Sequence, residues 1–351
     1  MNKEIRIGDR RVGEGQKAYL IAEMSANPLQ DYERAKKIIL AAKQAGADAV
    51  KLQSYRPDTI TIDCRGEEFM ATKGSLWEGR NLYELYQEAY MPWEWHEGLF
   101  AYAREIGIDI FSSPFDFSAV ELLESLNAPA YKIASYEILD IPLIRKCAAT
   151  GKPVILSTGI ATLADIERAV EACRAEGNDQ IAILKCVSQY PTPYPDLNLR
   201  TIPNMAEAFH CVTGLSDHSM GSAVDVAAVT LGACIVEKHM TLRRADGGAD
   251  SAFSMEPEEF AGMVADIRNI EQALGQATYE LTEVQKRGRK NARSLYVVKD
   301  IRAGETFTPE NLRSIRPGRG LPTWHYQEIL GKKAAEDLKA GTAMRWEYIE
   351  K

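Results

Sequence analysis

The stretch CVTGLSDHSMGSAVDVAAVTLGACIVEKH, residues 211–239, contains a complete β-α-β pattern. Two short apolar runs, Cys211–Ser216 and Cys234–His239, flank a longer segment with helical spacing at Gly221–Leu231. Runs that are apolar almost throughout are typical of strands buried on both faces of a parallel sheet. The stretch therefore predicts two neighbouring parallel strands that are joined by a helix.

The same alternation continues through the first 275 residues. Six similar runs precede this stretch, at Ala18–Met24, Ala49–Gln53, Asp109–Ser113, Ala130–Ser135, Pro153–Thr158 and Ile181–Ser188. Segments with helical spacing lie between them, for example at Asp31–Gln44, Trp93–Ile106 and Leu163–Glu176. Eight strand–helix units in this length predict an α/β fold, a TIM (β/α)8 barrel, with a doubly wound sheet as the alternative.

Three parts of the chain differ in pattern. We expect a barrel domain at residues 1–275, a linker at 276–293 that includes the charged run KRGRKNAR, and a small β-rich module at 294–351. The module contains the strand-like runs SLYVV and AMRWEYI and a predicted short helix at Pro309–Leu312. At about sixty residues it is near the lower limit for independent stability, so we expect it to dock on something.

Residues 54–91 interrupt the strand–helix alternation inside the barrel domain. The segment is polar, contains three glycines and several aromatic residues, and has little regular pattern. A connection of this length in a compact domain is typical of a binding loop or a lid.

Composition excludes several classes of protein. The chain has 351 residues with 42 Lys and Arg against 50 Asp and Glu, a formal net charge of −8, which argues against a nucleic-acid binder that works by bulk charge. None of the six cysteines forms a C-x-x-C pair, the N-terminus does not resemble a signal peptide, and the apolar runs are too short to span a membrane. We therefore expect a cytoplasmic protein with reduced cysteines, and neither a membrane nor a nucleic-acid partner.

Polar side chains follow almost every predicted strand, at the end where the active site of a TIM barrel lies. His218 and His239 end adjacent strands, 21 residues apart, so both imidazoles can reach one divalent ion that acts as a Lewis acid. The alternative is that each histidine only makes hydrogen bonds at the rim. His96, His210 and His325 have no such placement, and we interpret them as structural.

Lysines within apolar strands are the second signal, because a buried lysine is costly unless it is paired. Lys51, Lys132 and Lys185 lie in such strands. One of them could form a Schiff base, as in class I aldolases, or two could bind a phosphate or carboxylate. The hydroxyl groups that collect at the strand ends favour the anion. Acid–base work or binding of sugar hydroxyls is open to Glu23 and Glu137, and Asp250 can reach the mouth from the loop RRADGGADS.

As a set, these segments resemble the sialic acid synthase family over nearly the whole chain. The resemblance is carried by IAEMSAN (21–27), VKLQS (50–54), FSSPFD (111–116), YKIAS (131–135) with Glu137, LSTG (156–159), QYPTPYPDLNL (189–199), GLSDHSMG (214–221), EKHMTL (237–242) and FSMEPEEF (253–260). The C-terminal module, with RPGRGL at 316–321, resembles the antifreeze-like (SAF) domain that follows the barrel in this family.

The resemblance implies an enzyme that condenses phosphoenolpyruvate with an N-acetylated amino sugar to a nonulosonic acid and releases phosphate. It implies that His218 and His239 bind a manganese or magnesium ion, and that Glu137 acts as acid or base near the reacting carbons. It also implies a homodimer in which the C-terminal module is swapped onto the partner's barrel. The residues implied for phosphoenolpyruvate are Lys51, Ser113, Lys132, Ser135, Ser157, Ser188 and Ser216, and those implied for the sugar are Glu23, Gln53, Tyr190, Asp250 and, from the partner subunit, Arg316.

Two local features look like the subgroup that makes pseudaminic acid. They are MSAN at 24–27, where other family members read IGINH, and the aromatic segment LYQEAYMPWEWHEGLF at 85–100. The resemblance then implies 2,4-diacetamido-2,4,6-trideoxy-L-altrose as the sugar, and the aromatic residues Tyr83, Tyr86, Tyr90, Trp93 and Trp95 would suit its apolar surface or else belong to the core. The sequence departs from the family at Pro28, where His is common, and at Ser188, where the sialic acid enzymes carry Asn.

Other functions stay open at this point. One alternative is an N-acetylneuraminate or legionaminate synthase that uses N-acetylmannosamine or a related sugar. A second is a deoxy-aldulosonate phosphate synthase or a class I aldolase, which the C-terminal module argues against. A third is a non-catalytic sugar-binding protein, which the intact histidines, lysines and Glu137 argue against.

Overall fold

The computed structural model describes residues 4–74 and 77–350. Contacts within the chain divide it into two compact units, Met1–Gly275 and Gln276–Lys351. No helix among the described residues is both long and apolar enough to cross a bilayer.

A closed barrel of eight parallel strands forms the centre of the first unit, which confirms the predicted TIM barrel. Each strand pairs with the next along the chain, and the last pairs with the first through registers such as His239 with Glu23. The strands are β3 (Tyr19–Glu23), β4 (Ala49–Ser54), β5 (Asp109–Pro114), β6 (Tyr131–Ile133), β7 (Val154–Ser157), β8 (Ile181–Lys185), β9 (Val212–Asp217) and β10 (Ile235–His239).

Helices connect the barrel strands, as the helical spacing predicts. Several begin at a side chain that accepts a hydrogen bond from the first helical turn, including Asp31, Asp116 and Thr162. The helices of this unit are α1 (Tyr32–Gln44), α2 (Pro57–Ile60), α3 (Leu82–Ala89), α4 (Trp93–Ile106), α5 (Phe117–Ser125), α6 (Ile141–Ala148), α7 (Leu163–Ala175), α8 (Thr201–Phe209), α9 (Ala223–Thr230) and α10 (Pro257–Leu274).

An N-terminal hairpin that the sequence analysis did not predict packs with the barrel interior. Its strands, β1 (Glu4–Ile7) and β2 (Arg10–Gly13), pair antiparallel, and their buried residues Ile5, Ile7 and Val12 join the apolar cluster inside the barrel. That cluster includes Ile21, Phe111 and other side chains that lie in the barrel strands or directly before them. The start of the barrel is therefore mainly apolar, apart from Asp109, which accepts a hydrogen bond from the Tyr19 hydroxyl at 2.7 Å, and the charged side chains of the site lie further along the strands.

The segment at residues 54–91 is more regular than its sequence suggests. It contains α2, α3 and a short 3₁₀ turn at Glu67–Phe69. Tyr55 packs edge-on against Tyr86 of α3, with ring centroids 5.6 Å apart. Two of its residues, 75 and 76, lie outside the described part of the chain.

The second unit is β-rich around its own apolar core. Its strands β11 (Ser294–Val297) and β12 (Leu312–Ile315) pair antiparallel, and isolated bridges complete the fold. The linker region at 276–293 contains helix α11 (Glu283–Gly288), and α12 spans Tyr326–Ile329. The core consists of Leu295, Val297, Ile301, Phe307, Leu312, Ile329, Ala334, Leu338, Met344 and Ile349.

Two predictions for this unit are wrong. The helix predicted at Pro309–Leu312 is a turn, in which Asn311 accepts a hydrogen bond from the Thr308 backbone before β12 begins. The run AMRWEYI is not a continuous strand, because a 3₁₀ turn at Trp346–Tyr348 separates its bridging residues Ala343 and Ile349. In a module this small, tertiary pairing outweighs local propensity.

The close packing of β9 against β10 at Gly214 can be tested by substitution. A Cβ atom at Gly214 would overlap the Ile235 carbonyl oxygen and lie 2.7 Å from Leu184 Cδ2. We expect Gly214→Ala to destabilise the protein by about 1–3 kcal/mol, because backbone must shift to make room.

Gly262, in the middle of α10 with open space around its Cα, is the matched control. Gly262→Ala should stabilise the protein by about 0.5–1 kcal/mol, since Ala is the better helix former. Urea unfolding of both variants measures the difference, and equal free energies of unfolding would contradict the close packing.

Candidate active site

Four charged side chains meet inside the barrel at the carboxyl ends of its strands. Lys51 Nζ lies 2.5 Å from Glu23 Oε2 and 3.5 Å from Glu237 Oε1, and Lys132 Nζ lies 3.7 Å from the same Glu237 oxygen. All four are almost completely buried. Alternation along each strand places them on the inner face, directly above the apolar layer. Glu237 lies in the last predicted barrel strand, but the sequence pattern indicates no role for it.

Burial and ion pairing shift the pKa values of these groups in opposite directions. Burial alone would lower the pKa of Lys51, but the carboxylates of Glu23 and Glu237 raise it above its usual value. For Lys132 burial dominates and lowers the pKa, although Glu237 opposes this. Burial raises the pKa of Glu23 to about 7 despite the neighbouring Lys51. A protonated Lys51 suits an anion better than a Schiff base, which needs a neutral amine.

Hydroxyl groups predicted at the strand ends surround the two lysines. Lys51 Nζ lies 3.3 Å from Ser113 Oγ, and Lys132 Nζ donates to Ser157 Oγ at 2.6 Å. Ser216 Oγ donates to Glu237 Oε1 at 3.2 Å. Two cations with hydroxyl donors close by can bind an anion such as phosphate or carboxylate.

Ser135 and Ser188 extend this polar surface beside a glycine. Gly159 N donates to Ser135 Oγ at 3.1 Å, and the buried Ser188 Oγ has no hydrogen-bond partner within the described residues. A Cβ atom at Gly159 would overlap both hydroxyl oxygens, so only glycine leaves them free. Gly159 was not among the predicted site residues, although it lies in the LSTG segment.

His218 and His239 lie side by side at the ends of β9 and β10, with ring centroids 5.3 Å apart. His218 Nδ1 donates to the Val187 carbonyl oxygen at 2.9 Å, which leaves Nε2 available to a ligand. His239 Nδ1 is buried without a hydrogen-bond partner among the described residues. Burial lowers the pKa of His239 well below its usual value, so this imidazole is neutral.

This arrangement fits a divalent ion held by two imidazoles. Within residues 4–74 and 77–350, no group of three or more His, Cys, Asp and Glu side chains gathers into a complete metal site. Two nitrogens would therefore leave the other coordination positions to water or to substrate oxygens, as catalytic metal sites do. The unpartnered Nδ1 of His239 is the observation that favours such an ion.

A buried cation lies behind the histidines, on the outer face of the barrel. Lys238 pairs with Asp217, lies 3.4 Å from Asp225 Oδ2, and donates to the carbonyl oxygens of Ser219 and Gly221 at 2.8 and 2.9 Å. These contacts join the residue before His239 to the loop that carries His218.

Polar residues implied for the sugar form one hydrogen-bonded ring. Gln53 Nε2 donates to Glu23 Oε1 at 3.2 Å and to Ser25 Oγ at 3.0 Å, and Ser25 Oγ contacts Asp250 Oδ2. Glu23, Gln53 and Asp250 are among the residues predicted from the sequence, and Ser25 is not. Only its position in the MSAN segment could have indicated it.

Aromatic rings stand beside the two histidines. The Tyr190 ring contacts His218 at a tilt of 42°, with centroids 4.3 Å apart, and the Phe253 ring lies 5.0 Å from those of both Tyr190 and His239. Trp77, from the segment at 54–91, lies 6.0 Å from Tyr190. Phe253 and Trp77 were not selected from the sequence, because nothing local distinguishes them from core aromatics.

Two aromatic residues of the 85–100 segment have other partners. Trp95 packs edge-on against Tyr32 of α1, with centroids 5.7 Å apart. Trp93 lies under the Arg56 guanidinium and donates to the Tyr55 carbonyl oxygen at 3.2 Å. These contacts are those of residues that hold α4 in place.

Glu137, in a 3₁₀ turn after β6, has a buried Oε2 with no hydrogen-bond partner among the described residues. Burial raises its pKa to about 7, while Lys132 and Lys51 act to lower it. A carboxyl group with this pKa can both give and accept a proton near neutral pH. Arg316 is exposed and follows β12 in the second unit.

Comparison with known proteins agrees with this geometry. The model of the NeuB family matches residues 38–279, and the SAF domain model matches residues 292–350. The chain is 46% identical to a pseudaminic acid synthase of Helicobacter pylori, over 95% of this chain and 98% of that protein. It is 33% identical to an N,N'-diacetyllegionaminic acid synthase of Legionella pneumophila, over 99% of both chains.

A solved structure supports the same relationship. The N-acetylneuraminic acid synthetase of Leptospira borgpetersenii, crystallised with citrate, superposes with a TM-score of 0.72 and 30% identity, over 82% of this chain and 95% of that one. The chain therefore belongs to the NeuB family, which confirms the resemblance to the sialic acid synthases seen in its motifs.

Proposed function

We propose that this protein condenses phosphoenolpyruvate with 2,4-diacetamido-2,4,6-trideoxy-L-altrose to form pseudaminic acid and phosphate. The observation that carries the proposal is the buried pair Lys51 and Lys132, ringed by hydroxyls, below two adjacent histidines. The choice of sugar is supported by the 46% identity to a protein named pseudaminic acid synthase.

Phosphoenolpyruvate would occupy the cationic layer. Its phosphate and carboxylate together carry more negative charge than one lysine can balance, and two lysines with hydroxyl donors supply the complement. We assign this role to Lys51, Ser113, Lys132, Ser135, Ser157, Ser188 and Ser216.

The reaction needs a proton carrier as well as anion binding. The methylene carbon of phosphoenolpyruvate bonds to the sugar aldehyde carbon, water adds to the central carbon, and the bond from that carbon to the phosphate oxygen breaks. The water loses one proton as its oxygen adds, and the aldehyde oxygen gains one; the second water proton leaves with the phosphate as the added oxygen becomes the keto oxygen of the product. Glu137, whose pKa lies at about 7, accepts the proton from the water.

A divalent ion, manganese or magnesium, would be held by His218 and His239 and would polarise the sugar aldehyde as a Lewis acid. The sugar itself would contact Glu23, Gln53, Tyr190 and Asp250, with the Tyr190 and Phe253 rings beside its apolar surface.

Phosphate release tests the choice of sugar. With phosphoenolpyruvate and manganese, we expect release with 2,4-diacetamido-2,4,6-trideoxy-L-altrose and much less with N-acetylmannosamine. Lys132→Met, which removes one cation from the anion site, should abolish release with either sugar. Preference for N-acetylmannosamine would contradict the proposed substrate and favour a neuraminate or legionaminate synthase. The 33% identity to a legionaminic acid synthase is the reason to test this alternative.

Removal of the histidines tests the metal. We expect wild-type protein to bind one Mn²⁺ per chain in a calorimetric titration, and His218→Ala or His239→Ala to lose that binding while the melting temperature stays near its wild-type value. His210→Asn, at an exposed helix end, is the matched control and should bind normally. Full activity after chelation, or manganese binding by the double alanine variant, would rule out this ion site.

The pKa of Glu137 predicts a pH profile. Because the ionised carboxylate accepts the proton, kcat should rise as pH increases through about 7. Glu137→Gln cannot accept a proton, so kcat should fall by about 10²- to 10⁴-fold and lose this rise. Stopped phosphate assays from pH 5.5 to 8.5 measure both. An unchanged pH profile in the variant would show that another group carries the proton.

We also propose a cytoplasmic homodimer, in which the C-terminal module caps the partner's barrel and Arg316 contacts the sugar there. The small size of the module, its exposed Arg316 and Trp324, and the six free cysteines of the chain support this.

Mixed dimers test the swap. Arg316→Ala and His239→Ala, each inactive or nearly so alone, should regain activity when the two variants are coexpressed, since one mixed site is then intact. A fully active monomer in sedimentation, or no recovery in mixed dimers, would contradict the swap.

A further inference from the structure

Ser25 adopts a backbone conformation that its residue type disfavours. Its φ angle is 46°, in the left-handed region, where a side chain other than glycine costs free energy. The residue is only 5% exposed, and it lies two residues after Glu23, where the barrel strand ends. A side chain kept in this conformation must contribute something that glycine, which adopts it freely, cannot.

The Ser25 hydroxyl joins its own loop to two other parts of the chain. Its Oγ contacts Asp250 Oδ2 and lies 3.0 Å from Gln53 Nε2, while its backbone N donates to Glu23 Oε1 at 3.0 Å. The backbone N of Ala26 also lies 3.4 Å from Asp250 Oδ2. The loop after β3 is therefore bound to the end of β4 and to the loop after β10.

The direction of each hydrogen bond follows from chemistry. Burial raises the pKa of Asp250, and the hydrogen bonds from Ser25 and Ala26 oppose this by stabilising the carboxylate. The carboxylate can only accept, so the single hydroxyl proton of Ser25 goes to Asp250. Ser25 Oγ must then accept from Gln53, and the second amide proton of Gln53 goes to Glu23. Both amide protons of Gln53 are thus directed into the ring, and its carbonyl oxygen remains to meet a ligand.

We propose that Ser25 is a positioning residue that fixes the Gln53 amide and the Asp250 carboxylate as hydrogen-bond acceptors toward the sugar. This rests on the proposed function, in which both residues contact the sugar. The ligand chemistry that fits such an array is a set of donors, the N–H of an acetamido group and neighbouring hydroxyls. Without the Ser25 hydroxyl, the Gln53 amide can turn and present its NH₂ group instead.

Two substitutions separate the hydroxyl from the backbone. Ser25→Ala removes the hydroxyl and keeps the disfavoured conformation, whereas Ser25→Gly removes the hydroxyl and also relieves the backbone. In both variants we expect KM for the sugar to rise about tenfold, the effect of one charge-assisted hydrogen bond. The kcat value and the KM for phosphoenolpyruvate should stay close to wild type, which a general loss of structure would not produce.

The two variants should differ in stability, although they have the same KM for the sugar. Ser25→Gly should melt at a higher temperature than Ser25→Ala, although both bind the sugar equally poorly. Asn127, which has φ of 57° and lies exposed after α5, provides the control for the backbone effect. Asn127→Gly should leave both KM values unchanged. A wild-type KM for the sugar in Ser25→Gly or Ser25→Ala would overturn the proposal.

A double-mutant cycle with Asp250→Ala tests whether Ser25 acts through Asp250. Ser25→Ala should raise the KM for the sugar by a smaller factor in the Asp250→Ala background than in wild type, because only its effect through Gln53 remains there; the same factor in both backgrounds would overturn the coupling to Asp250. If wild-type protein turns over neither sugar, the proposed function fails, and the same cycle in melting temperature still decides the coupling. A loss in the double variant smaller than the sum of the single losses supports it, and an additive loss overturns it.

Discussion

Two lysines and two glutamates buried at one end of the barrel constrain the rest of the site. Taking charges out of water is costly, and the cost is offset only when each charge has a partner at close range. Lys51 and Lys132 share the Glu237 carboxylate, and Glu23 completes the set. Cations in such a buried layer are screened by water much less than cations at the surface, which strengthens their attraction for any anion that enters it. The surrounding serines supply donors without adding charge.

The closed barrel makes this layer possible. Eight strands that alternate inward and outward side chains place an apolar layer at their start and a charged layer at their end. The N-terminal hairpin packs Ile5, Ile7 and Val12 with the apolar layer. The charged groups therefore lie at one end of the barrel. The two histidines, the aromatic rings of Tyr190 and Phe253, and the hydrogen-bonded group of Gln53, Ser25 and Asp250 lie at the same end.

Much of the architecture could be predicted because strong signals repeat. Eight apolar runs with helices between them indicate a barrel, and the helix predicted at Trp93–Ile106 has those bounds in the structure. The N-terminal hairpin was not predicted, because a four-residue strand rich in charged residues has no clear hydrophobic alternation. The short helix predicted in the C-terminal module was wrong for a related reason, since few local residues decide the structure there and cross-strand pairing overrides them.

The residues of the site also fall into those that the sequence predicts and those that only the structure reveals. The sequence by itself determined which residue types stand at the strand ends, because period-two alternation and the order of the strands leave little freedom: the lysines, the serines, Glu23, His218 and His239. Only the tertiary structure decided which of them pair, that Gly159 must lack a side chain, and that Ser25 joins Gln53 to Asp250. It also decided that Phe253 lies beside His239 and Trp77 beside Tyr190. These contacts join residues far apart in the chain, and their geometry depends on how the loops pack, which no local pattern encodes.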